Sequence, residues 1–63
     1  MNFTTGTTFY MNGETHLIWR TTGRKVSTAK IFYVSKHTEA EDTFHEAKLT
    51  SLLSFVTAGL ITF

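Results

Sequence analysis

No cysteine and no proline occur in this chain of 63 residues, and only four positions are glycine. Without cysteine there is no disulfide staple and no thiolate metal site. Its absence also suits a reducing compartment, and the cytoplasm is the expected location. Without proline the chain has no fixed bends, so glycine must punctuate it. Long apolar runs are missing too. The longest mostly apolar segment, 52–63, has twelve residues, against the roughly 20 that a membrane-spanning helix needs. The amino terminus, Met1-Asn2-Phe3-Thr4-Thr5-Gly6, lacks a basic stretch followed by an apolar one, so no signal peptide is expected. Charge of one sign is scarce as well: six Lys and Arg against five Asp and Glu leave a net +1. That is far from the balance of a strongly basic nucleic-acid binder.

The catalytic inventory is equally thin. There is no G-x-S-x-G elbow, no phosphate-binding G-x-x-x-x-G-K-[ST] loop and no dinucleotide fingerprint. Three histidines, His16, His37 and His45, match no tight zinc-ligand spacing. No enzyme activity, no metal, no cofactor and no small-molecule ligand are therefore expected.

What remains is aromatic. Six phenylalanines, two tyrosines and a tryptophan are spread over the whole length, and 41% of residues are hydrophobic. A domain of this size buries only about 60% of the surface its unfolded chain exposes, leaving a few kcal/mol of stability. Large rings suit such a core because each buries much area. One small folded domain is expected.

Asn12-Gly13 is a strong hairpin signal, since both positions tolerate positive φ. It is flanked by the strand-like Thr7–Met11 and Glu14–Arg20, the second carrying Leu17, Ile18 and Trp19. His16 alternates with Thr15 and Leu17 and is assigned to the outer face of its strand. Thr21-Thr22-Gly23-Arg24 reads as a second turn. Lys25–Ser35 reads as a third strand, with a bend or break near Ser27–Ala29 and a central, apolar Ile31-Phe32-Tyr33-Val34.

The last third changes period. Thr43 and Glu46 fit a capping box, so a helix is predicted to begin at Thr43. Thr38 to Glu41 offers an alternative start, and a short strand around Asp42–Phe44 is allowed for ahead of the helix. Leu49, Leu52, Leu53 and Val56 share one helical face, and Gly59 stands where a left-handed residue ends the helix. Ala58–Phe63 then returns as a short closing strand. The fold class expected is α+β, mainly β: a small antiparallel sheet or an SH3-like, partly open barrel with one helix in the C-terminal half.

Read as a pattern, the chain is Gly6-x-x-Phe9-x-x-x-Gly13, then Phe44-x-x-Ala47-x-Leu49-x-x-Leu52, then Gly59-x-Ile61-x-Phe63. This resembles the small β-domain near the amino terminus of phage-Mu-like and related bacterial DDE transposases, over nearly the whole length. The resemblance implies a non-catalytic module of a larger DNA-recombining protein. That family's catalytic carboxylates lie in a separate domain, and Glu14, Glu39, Glu41, Asp42 and Glu46 match no such triad.

Charge is unevenly placed. Arg20, Arg24, Lys25, Lys30 and Lys36 form a basic stretch without an acid, and Glu39, Glu41, Asp42 and Glu46 an acidic one without Lys or Arg. The basic stretch, with Trp19, Phe32 and Tyr33 nearby, suggests phosphate contacts. A solvated strand face carries the same residues. The acidic stretch suits the positive end of a helix. Phe44, Leu49, Leu52, Leu53, Val56 and Leu60 are expected in the core. Trp19, Phe55 and Phe63 are candidate partner contacts. The expected function is a binding module for DNA transposition or recombination, touching DNA or a protein subunit. The competing reading is a free-standing phage or bacterial protein that inhibits a host protein. A dimer through an edge strand stays open.

Overall fold

The computed structural model describes residues 3–36 and 41–63. Along the chain run β1 (Thr8–Met11), β2 (Glu14–Thr22), β3 (Lys30–Ser35), β4 (Thr43–Lys48), α1 (Leu49–Thr57) and β5 (Ile61–Thr62). The strands form one antiparallel sheet in the order β4-β3-β2-β1-β5. Both β4 and β5 are edges, so of the two forms expected the open sheet is the one found. The class is α+β and mainly β, with a single helix among the described residues.

Asn12 and Gly13 have φ of 56° and 78°, the left-handed pair that a two-residue hairpin turn requires. That turn pairs Phe9 with His16 and Met11 with Glu14. One register decides both faces, because side chains alternate along a strand. Phe9, Ile18, Ile31 and Tyr33 point inward and join Phe3, Leu49, Leu52 and Ile61 in the core. Helix α1 lies on that side and links the two edge strands.

Thr21 and Thr22 extend β2 instead of turning, and pair with Ile31 and Lys30. The expected break in the third strand is a loop at 23–29, so β3 begins only at Lys30. Within it, the Lys25 carbonyl accepts from the Thr28 and Ala29 N–H groups at 3.0 and 2.8 Å. Gly23 is indispensable there: its φ is +87°, and a Cβ would sit 2.7 Å from the Ala29 Cα.

The predicted helix start at Thr43 is wrong. Thr43–Lys48 is an edge strand paired with β3 from Lys30↔Lys48 to Ser35↔Thr43. Six residues of ladder outweigh one capping box, since tertiary pairing overrides local preference. The helix begins at Leu49, whose N–H donates to the Ala29 carbonyl at 3.0 Å. Lys48 is extended and contributes no side-chain cap. The alternative start at Thr38 lies outside the described residues, with His37 and Glu39. At the other end Gly59 has φ +78°, the left-handed stop predicted there, and its N–H donates to the Val56 carbonyl.

The expected apolar core needs two corrections. Leu49 and Leu52 are buried and Leu53 and Val56 half-buried against them. Phe44, however, is 68% exposed and Leu60 55%. Phe44 is a strand residue, on the opposite face from the helix with its partner Val34. Leu60 falls after the helix has ended.

Candidate nucleic-acid interface

The inner face carries one polar network at the β2-β3-β4 end of the core. His16, expected to face outward, is 4% exposed, because the hairpin register puts it opposite Phe9. Ser35 Oγ lies 2.7 Å from His16 Nδ1 and 2.9 Å from His45 Nε2. His16 Nε2 lies 3.3 Å from the Met11 carbonyl oxygen. Donor counting orders these contacts. A carbonyl only accepts, so in a neutral His16 ring the proton sits on Nε2. Its Nδ1 then accepts from the Ser35 hydroxyl, and the Ser35 oxygen in turn accepts from His45 Nε2–H. Tyr33 stacks on His45 at 4.9 Å and meets His16 edge-on at 5.2 Å. Burial pushes the Tyr33 phenol pKa up from 10.0. Two histidines and a serine brought together resemble a nucleophile and base, yet Ser35 is 1% exposed and its hydroxyl is engaged by both rings. This cluster holds three strands in register.

The outer face is different: α1 packs on the other side, and of the outer residues Val34 is buried while Trp19 and Phe44 remain exposed. Alternation and register place Arg20, Lys30, Phe32, Val34, Phe44, Glu46 and Lys48 on it. A bulge between Ile18 and Arg20 interrupts the pairing and leaves Trp19 on this side too. Its ring meets Phe32 at 5.6 Å and Phe44 at 6.3 Å. The Arg20 guanidinium lies 5.6 Å from the centre of the Phe32 ring, a cation–π distance. Trp19 is 44% exposed and Phe44 more so. Among the charged strand residues placed on this face, Arg20, Lys30 and Lys48 are cations and Glu46 is an anion.

The basic stretch of the sequence is not a single surface. Arg20 and Lys30 lie on the outer face, whereas Arg24 and Lys25 sit in the exposed 23–29 loop. Lys30 pairs with Glu46 at 3.3 Å, and Lys36 pairs with Asp42 at 3.0 Å. Glu46 thus answers Lys30 across the β3–β4 ladder, and Asp42 answers Lys36 just beyond its end. They do not serve a helix terminus: the first turn of α1 holds no acid.

Compared with known protein families, curated proteins and solved structures, the chain matches none. The transposase resemblance rests on its motifs alone.

Two further candidates are separate from this face. Phe55 is 39% exposed on α1, and Phe63 is 53% exposed with its ring edge-on to Phe3 at 5.1 Å. A helical reading of 43–48 hides Phe44 and Lys48 as surface residues. The signal that could have found them is a period of two. Thr43, His45 and Ala47 point one way and Phe44, Glu46 and Lys48 the other, but the inward set is barely apolar. No helix among the described residues is long and apolar enough to cross a membrane.

Proposed function

We propose that this chain is a non-catalytic module that contacts DNA through the outer face of its sheet, in the service of transposition or recombination. The observation that supports it is the meeting of Trp19, Phe32 and Phe44 with Arg20, Lys30 and Lys48 on one uncovered surface. Rings supply contact area to bases, and cations supply phosphate contacts. Arg24 and Lys25 in the adjoining loop extend the basic edge. We place the module in the cytoplasm, where a chain without cysteine is at no disadvantage.

The test is a DNA titration at several salt concentrations. Affinity should fall with salt at a log–log slope of about −3, as for three or four neutralised phosphates. Reversing Arg20, Arg24 and Lys25 to glutamate should abolish binding in a chain that still melts cooperatively. Binding that survives the triple reversal removes the reading.

A second reading draws on Phe55, Leu60 and Phe63, exposed at the C-terminal end. They favour a protein partner, such as a host protein that the chain inhibits. Such binding would ignore the charge reversals and respond to Phe63→Ser.

A further inference from the structure

The outer face also selects the form of DNA, an inference that rests on the reading above. A five-stranded sheet with strands about 4.8 Å apart is roughly 19 Å across. The major groove of a duplex is about 12 Å wide and admits a helix or a two-stranded ribbon. The flat span of the sheet therefore does not fit an undistorted major groove, and for Trp19 and Phe44 to reach paired base edges the duplex would have to bend or widen, at a cost in deformation energy. Unpaired bases have no such barrier, because each exposes a flat π-face that lies on an exposed ring. Phosphate-binding groups flank the rings. Arg20 stands over Phe32, and Lys30 and Lys48 are direct partners on the ladder, next on this face after the pair Phe32 and Glu46. Glu46 answers Lys30 at 3.3 Å, so Arg20 and Lys48 are the cations in excess on this face, and that excess complements a polyanion.

We propose that this chain binds single-stranded DNA, stacking bases on Trp19 and Phe44 while Arg20, Lys30 and Lys48 hold the phosphates between them.

Trp19 is the only tryptophan of the chain, so its fluorescence reports on this surface alone. The full chain is titrated with an oligodeoxythymidylate of about ten nucleotides, a typical single-strand footprint, and with a duplex of equal length. The expected result is saturable quenching by the single strand and affinity at least about tenfold above that for the duplex, the size of one stacked base. Phe44→Ala should weaken single-strand binding about tenfold, and Phe44→Tyr, which keeps the ring, should restore it. Circular dichroism of both variants separates lost binding from lost folding. Equal or tighter binding of duplex overturns the single-strand inference and leaves the DNA-contact reading standing. Tighter binding of the matching oligoribonucleotide overturns the choice of DNA. Failure of both DNA forms to bind overturns inference and reading together.

Discussion

The two faces of the sheet are built from the same strands, often from adjacent residues, yet they do opposite things. On the inner side Ile18, Ile31 and Tyr33 lie under Leu49 and Leu52 and are almost wholly buried. On the outer side Trp19, Phe32 and Phe44 are just as apolar and remain uncovered or only partly covered. Hydrophobicity does not distinguish them. What does is the side on which the single helix crosses, set by the β4–α1 junction where Leu49 N–H meets the Ala29 carbonyl. A chain this short has one described helix for two apolar faces. The face left over is where binding is to be looked for.

This contrast is open to attack from both sides, and the sharpest blow falls on the inner face. Leu52→Ala removes the fully buried contact between helix and sheet and should cost about 3 kcal/mol. In a domain of 63 residues that lowers Tm by about 20–25 °C, readable by calorimetry. A loss no larger than that of an outer-face variant would erase the distinction between the faces.

Ser35→Ala is the next most costly change. It strips the donor from His16 Nδ1 and the acceptor from His45 Nε2, and unsatisfied buried groups cost about 1–3 kcal/mol. Long-range nitrogen–proton spectra of the wild type should show the His16 ring proton on Nε2. A proton on Nδ1 would invert the donor order of the network.

On the outer face Phe44→Ala should change stability by less than about 0.5 kcal/mol, as is usual for surface positions. A large loss on chemical denaturation would mean that this ring holds the fold.

Smallest at neutral pH is Tyr33→Phe, whose effect emerges in alkali. Burial raises the folded-state pKa of Tyr33 above 10.0. Its neutral form is therefore favoured by folding, a contribution complete below pH 10 and lost as pH climbs through that value toward the folded pKa. Denaturation midpoints should fall less steeply above pH 10 in the variant than in the wild type. Parallel curves would remove Tyr33 from the alkaline response.

Legibility in the sequence follows the range of the interaction. The Asn12-Gly13 hairpin, the Gly59 stop, the Leu49–Leu52 stripe and the closing strand are readable, since each depends on neighbours within a few residues. Thr43–Lys48 misleads because its capping box is local, while the β3 ladder that overrules it is not. His16 falls on the face opposite to the one expected because alternation gives a period but not its phase, and Phe9 across the hairpin supplies the phase. Glu46 and Asp42 mislead for the same reason, their partners Lys30 and Lys36 being visible only once β4 has paired.

What the amino-acid order determined by itself is where the backbone turns and which segments are amphipathic. Positive φ at glycine and asparagine and the periods of two and 3.6 are properties of short stretches. Only the tertiary structure decided whether Thr43–Lys48 is helix or strand, which of two apolar faces is covered, and that His16, Ser35 and His45 meet. Those outcomes turn on hydrogen bonds and burial between residues far apart in the chain, where competing local preferences differ by about 1 kcal/mol and the ladder as a whole outweighs them.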